Sequence, residues 1–136
     1  MEPSITALDD IYMSRMNFLK KICHANEGTV ADWKIINSIN AEITNLKQIK
    51  IQNPKDLTTL SRQVKNLVEK GFLLKRESEL DHRSYIFKVA RKGVIFRDNV
   101  NKALAEFDQK LFENWTNEEQ GMFNILINRV LKNMIK

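Results

Sequence analysis

Six polar residues within a stretch of eight, Thr58, Thr59, Ser61, Arg62, Gln63 and Lys65, carry the most usable chemistry in this chain. They are interleaved with Leu57, Leu60, Val64 and Leu67 at helical spacing, so a helix that buries the apolar set turns the polar set outward. An arginine can bridge O6 and N7 of guanine, and a glutamine can pair with adenine. Hydroxyls and lysine hold phosphate and fix position rather than read sequence. The plain alternative is an ordinary solvated helix face. Further on, Arg76, Asp81, His82 and Arg83 punctuate the polar segment RESELDHR. Arg83 suits a narrow minor groove, and Asp81 can pair with a nearby arginine to hold the segment's shape. A surface ion pair worth under about 1 kcal/mol is the other option, and spacing does not choose between them.

Other chemistries are poorly served. Cys23 stands beside Lys20, Lys21 and His24, cations that can favour a thiolate. A lone cysteine is more often a small packing residue. The two histidines, His24 and His82, are far apart and have no cluster of carboxylates to complete a zinc site. There is no Ser-His-Asp or Cys-His arrangement, no glycine-rich phosphate loop and no paired catalytic carboxylates. We therefore expect no enzyme, no cofactor and no metal.

The polar sets need elements to position them. A first helix is expected over about 4–25, striped by Ile5, Leu8, Tyr12, Leu19 and Ile22, with Gly28 providing a left-handed stop. Thr29 and Asp32 form a short-armed capping box for a second helix, which buries Trp33, Ile36, Ile39 and Ile43. The segment TNLKQIKIQ fits either a short helix capped by Thr44 or Asn45, or an extended piece; a helix-turn-helix needs the helix. Asn53-Pro54 signals the start of the polar-faced helix, with Asp56 in its first turn and Gly71 at its end. Phe72–Leu74 and Ser84–Val89 are rich in strand formers and bracket the charged segment. After Gly93 comes a long amphipathic helix with Phe96, Val100, Leu104, Phe107 and Leu111. Thr116 and Glu119 then make a capping box for a last helix carrying Met122, Leu126 and Val130. This is the layout of a winged helix-turn-helix: mainly α, with a small β-hairpin wing and additional N- and C-terminal helices.

Charge follows the same map. Residues 47–92 hold 12 Lys/Arg against 5 Asp/Glu, while the remainder hold 10 against 12. The excess positive charge thus sits where the polar-faced helix and hairpin lie, which suits double-stranded DNA; a solvated basic surface is the alternative. At 136 residues, with 43% apolar, 4 Gly and 2 Pro, the chain suits one domain of long regular elements. No apolar run approaches a membrane span. The N-terminal residues lack the order of a signal peptide, and a single cysteine fits a reducing cytoplasm.

The segment NPKDLTTLSRQVKNLVEKGFLLKRESELDHRSYIFKVARKG resembles the core signature of the MarR family of bacterial transcription regulators. The carrying residues are Thr59, Ser61-Arg62, Leu67, Gly71, Asp81-x-Arg83 and Lys92-Gly93. GTVADWKIINSI resembles that family's second helix, and TNEEQGMFNILINRVL its last. The resemblance implies one domain over 1–136, with a DNA-binding lobe at 29–92 and dimerisation helices at 4–25 and 93–136. It implies a homodimer on a palindromic operator, with Thr58, Thr59, Arg62 and Gln63 in the major groove and Arg83 in the minor groove. It further implies a repressor released by a small aromatic effector or by oxidation. Trp33, Phe18, Tyr12 and Phe96 either border an effector cavity or simply pack. The chain departs from the family at Val89-Ala90, where a capping threonine is usual, and at KQIKIQ, which lacks the usual Leu-Ala pair. A winged helix that grips a partner protein is the competing reading, and it would not need Arg62.

Overall fold

The computed structural model describes residues 1–80 and 83–135, so the expectations for Asp81 and His82 lie outside the described residues. The element order is α1 (Ser4–Ala25), α2 (Val30–Ser38), α3 (Leu46–Gln52), α4 (Leu57–Glu69), β1 (Leu73–Glu77), β2 (Tyr85–Val89), α5 (Arg91–Leu111) and α6 (Asn117–Met134). Two compact units make up the chain, Met1–Leu104 and Ala105–Lys136. No helix among the described residues is long and apolar enough to cross a membrane.

The core of the first unit draws on nearly every element. Leu19 and Cys23 come from α1, Ile35 and Ile36 from α2, Ile49 from α3, and Leu60, Val64 and Leu67 from α4. The hairpin adds Leu73 and Phe87, and α5 adds Phe96, Val100 and Leu104. Each such side chain contributes about 1.5–3 kcal/mol when taken fully out of water. The wing is a two-stranded antiparallel hairpin pairing Leu73 with Val89 and Glu77 with Tyr85. Alternation along the strands sends Lys75, Tyr85 and Phe87 to one face and Leu74, Arg76, Ile86 and Lys88 to the other. The Phe87 amide also donates to the Thr44 carbonyl at 2.8 Å, tying β2 to the turn between α2 and α3.

Local chemistry sets the boundaries. Thr29 and Asp32 close the expected capping box at α2. The 44–52 ambiguity resolves as helix, because Asn45 and Gln48 make a reciprocal box, with both hydrogen bonds present. Four expectations need correction. Asn53-Pro54 does not start α4: the buried Asn53 ends α3, its Nδ2 donating to the Ile49 carbonyl at 3.0 Å and to Ser38 Oγ at 3.1 Å. Asp56 caps α4 instead. Leu57, the first helical residue, is 50% exposed and not in the core. The left-handed residue after α1 is Glu27 (φ 66°), not Gly28; Gly28 is required because a Cβ there would lie 2.2 Å from the Phe96 ring. Gly93 does not precede α5 but sits inside its first turn, where a Cβ would lie 2.2 Å from the Phe72 carbonyl oxygen. With no threonine at position 90, α5 starts without a side-chain cap. Its first turn is fixed from outside, by the Ala90 amide donating to that same Phe72 carbonyl at 3.0 Å.

In the second unit, Phe112, Trp115 and Phe123 form an edge-to-face triad with ring centroids 5.1–5.7 Å apart. The Thr116–Glu119 capping box opens α6 as expected, and its hydrogen bonds hold the Glu119 carboxyl below the usual range.

Candidate nucleic-acid interface

The α4 helix is built to hold its outer face rigidly. Asp56 accepts the Thr59 amide at 2.9 Å on Oδ1 and the Thr59 hydroxyl at 2.6 Å on Oδ2. These bonds hold the Asp56 carboxyl below its ordinary value, the hydroxyl contributing most. Leu60, Val64 and Leu67 anchor the inner face. At 3.6 residues per turn, Thr58, Arg62, Lys65, Asn66 and Glu69 then share the outer face, and Thr58, Arg62, Lys65 and Asn66 are all exposed.

The structure thus divides the six expected residues. Thr58, Arg62 and Lys65 stand together on the open face. Thr59 is half-buried and spends its hydroxyl on the cap. Gln63 sits on the flank, where its Oε1 accepts from Lys55 Nζ at 3.2 Å. Ser61 is exposed on the opposite flank. There, with Lys65, Asn45 and Lys47, it borders a cleft of about 750 Å³ that runs between α4 and the front of the wing. Lys75 and Tyr85 form the wing side of this cleft, with Lys75 Nζ 3.9 Å from the Tyr85 ring centroid. Of the expected hairpin residues, Arg83 is exposed at the hairpin's end. Arg76 is exposed but points to the wing's back face, away from the α4 side, so it does not join this cluster.

Sequence reasoning missed Asn66, Lys47 and Lys75. Asn66 is one turn beyond Arg62 and could have been found by extending the helical wheel. The two lysines are brought in by the hairpin register and by the α3 capping box, neither of which a linear pattern displays.

The far end of α4 is pinned by cations. Lys70 Nζ lies 2.9 Å from Asp32 Oδ2 and 3.4 Å from the Glu27 carbonyl. Lys92 Nζ donates to the Lys70 carbonyl at 3.2 Å. Both ammonium groups stand over the Phe72 ring, at 5.5 and 5.3 Å, and Phe72 in turn stacks on Phe96 at 5.0 Å. The α1–α2 turn, α2, α4, β1 and the start of α5 therefore meet at one joint.

Cys23 is fully buried. Burial, and secondarily the Asp32 carboxylate, push its thiol up to about 11. Lys20, Lys21 and His24, the expected activating cations, are exposed while the thiol is not. Cys23 packs as a small apolar group. The four aromatics weighed as a cavity border are dispersed: Phe96 is buried against Phe72, Tyr12 is 62% exposed, and Trp33 Nε1 donates to Asn101 Oδ1 at 2.7 Å. Among the described residues no group of three His, Cys, Asp or Glu could hold a metal ion.

No family model and no curated protein sequence matches the chain. Solved structures do match. Apo MarR from E. coli aligns with a TM-score of 0.74 and 21% identity, over 96% of this chain and 98% of that one. The chain has the MarR fold. A MarR cysteine-to-serine mutant from E. coli, complexed with operator DNA, aligns with a TM-score of 0.70 and 21% identity over 93% and 91% of the two chains. A MepR mutant from S. aureus bound to an oligodeoxyribonucleotide aligns at 0.74 with 12% identity over 98% and 99%. The MarR fold therefore accounts for the whole chain, from α1 to α6, and not for the winged lobe alone.

Proposed function

We propose that this chain is a cytoplasmic, bacterial regulator of the MarR family, not an enzyme, which represses transcription by binding a palindromic operator as a homodimer. The observation that carries this reading is the open face of Thr58, Arg62, Lys65 and Asn66 on a capped helix, beside a cation-bearing wing. Proteins of the same fold occur in complex with operator DNA and with an oligodeoxyribonucleotide. In this reading Arg62 reads a base edge, Thr58 and Lys65 hold phosphate, and Arg83 enters the minor groove from the wing. Asp81 and His82 complete the proposed DNA-binding set. The homodimer rests on α6, which has no buried residue and exposes Met122, Ile125, Leu126, Val130 and Leu131. An apolar face of that extent marks an association surface, and a second copy matches it by symmetry. A small aromatic effector would release DNA by changing the spacing of the two reading helices.

The test is fluorescence anisotropy of the protein on its own upstream intergenic DNA, with random DNA as competitor and at two salt concentrations. Binding that survives competitor supports a sequence-specific regulator. Weak binding that collapses with salt and ignores sequence, on this and on other promoters, would reduce the face to a basic surface.

A further inference from the structure

Asn66 stands one turn beyond Arg62 on the open face of α4, and both residues are exposed. Among the described residues neither side chain has a hydrogen-bond or ion-pair partner. Other asparagines of the chain behave differently. Asn26, Asn37, Asn53 and Asn128 each turn Nδ2 back onto the carbonyl four residues earlier, at 2.6–3.0 Å. Asn66 makes no such bond to the Arg62 carbonyl, so its Oδ1 and its Nδ2 are both uncommitted. Asparagine is also a poorer helix former than the alanine, lysine or glutamine that suits an idle surface position. Gln63, the other carboxamide of α4, is held at the flank, its Oε1 accepting from Lys55 Nζ at 3.2 Å. Glu69, about one turn further along the open face, carries a charge that phosphate repels, so the reading stretch ends at Asn66.

We propose that Asn66 reads adenine beside a guanine read by Arg62, and that the two residues set a half-site in which these bases stand two steps apart. The assignment rests on the DNA-binding function proposed for this helix and adds a base preference to it. A carboxamide presents one acceptor and one donor side by side, which match the N6 amino group and N7 of adenine in the major groove. No other base offers that pair there: guanine shows two acceptors, cytosine a donor, and thymine an acceptor and a methyl group. Arg62, which has donors only, complements O6 and N7 of guanine by the same logic. Four residues along an α-helix rise by about 6 Å, and two base steps by about 6.8 Å. Side chains one turn apart on one face therefore meet bases with a single base pair between them.

The test is selection of random-sequence double-stranded DNA by the full-length protein and by its Asn66→Ala and Arg62→Ala variants, followed by anisotropy on the recovered consensus. The wild-type half-site should contain a guanine and an adenine with one base pair between them. Asn66→Ala should lose preference at the adenine alone, and Arg62→Ala at the guanine alone. Replacing that adenine by 7-deazaadenine removes N7 and leaves base pairing intact. It should weaken wild-type binding about tenfold, and it should cost the Asn66→Ala protein, already about tenfold weaker, nothing more. Asn66 is exposed and alanine is the better helix former, so the variant's thermal midpoint should hold or rise. A wild-type protein that selects no consensus would overturn the DNA-binding function and this assignment with it. A consensus that Asn66→Ala leaves unchanged, a guanine and adenine at another spacing, or a 7-deazaadenine effect equal in both proteins would overturn the assignment and leave the DNA-binding function standing. The modified DNA also probes the unmodified protein, where an unchanged affinity would overturn the assignment even if the variant fails to fold.

Discussion

At the scale of single residues, the functional face and the core make separate demands that separate substitutions can read. Arg62→Ala removes the one group on the open face that can bridge two acceptors of a base. It should cost about 1–3 kcal/mol of operator binding and relax specificity at one position, with thermal stability unchanged. A binding curve indistinguishable from wild type, with operator sequence still discriminated, would move base reading elsewhere. Cys23 makes the opposite kind of prediction. Its folded-state pKa, about 11, is raised above the ordinary value of 9.0. The stability it contributes is therefore fully present below pH 9 and is lost as pH rises towards and through 11. Cys23→Ala is less stable through lost packing, but it lacks this titration. The stability gap between wild type and variant should therefore narrow from pH 9 to 11, as measured by urea unfolding. The native thiol should also resist alkylation at neutral pH, reacting only as fast as the chain opens. Gly93→Ala places a methyl against the Phe72 carbonyl and the Val89 side chain. It should destabilise the fold by about 2–3 kcal/mol, read as a lowered denaturation midpoint.

At the scale of elements, the caps decide where helices begin, and α4 depends on Asp56. Asp56→Ala should speed hydrogen exchange at the Thr59 amide and weaken DNA binding, whereas Asp56→Asn, itself a good cap, should preserve both. The Asp56 pKa is depressed, so the cap's contribution is present above the ordinary carboxylate value and fades as pH falls through the folded one. The protection of the Thr59 amide, the intrinsic exchange rate over the observed rate at the same pH, should therefore fall at acid pH in the wild type and not in the alanine variant. Much of this architecture was legible in the chain itself, because capping boxes and helical stripes are local signals. Thr29–Asp32, Thr116–Glu119 and the Leu60-Val64-Leu67 stripe all needed only neighbours three or four residues away. The misread positions required distant partners. Asn53 looked like a cap until Ser38, fifteen residues back, supplied its acceptor. Gly28 looked like a turn residue until Phe96 came to lie on it. Thr59 and Gln63 looked outward because a helical wheel cannot show that Asp56 and Lys55 hold them. Arg76 stands with the hairpin's other polar residues in the linear sequence, whereas strand parity, which depends on where β1 begins, puts it on the back of the wing.

At the scale of the whole molecule, association and charge dominate. Met122, Leu126 and Val130 follow one another at intervals of four along α6, all exposed. If they cover a second copy, the thermal midpoint should rise with protein concentration. Met122→Glu with Leu126→Glu should then give a monomer by analytical ultracentrifugation, one that binds a single half-site weakly. A wild-type protein that remains monomeric at micromolar concentration would remove the two-fold operator from the reading. The joint at Phe72 has a mechanical implication. Lys70, Lys92 and Asp32 fix α4 at its C-terminal end and the buried Leu60 holds its other end in the core, so Thr58 and Arg62 ride on a rod about 20 Å long that moves only with its lobe. A tilt of that whole lobe by about 10° around the joint would carry the tip of α4 by about 3.4 Å, the rise of one base pair. The pivot of this lever is shared with the first turn of α5, so a small twist of α5 would be magnified into a full step along the groove. If α4 reads DNA as proposed, register on the duplex would then depend on two lysines and a phenylalanine at the opposite end of the helix from Thr58.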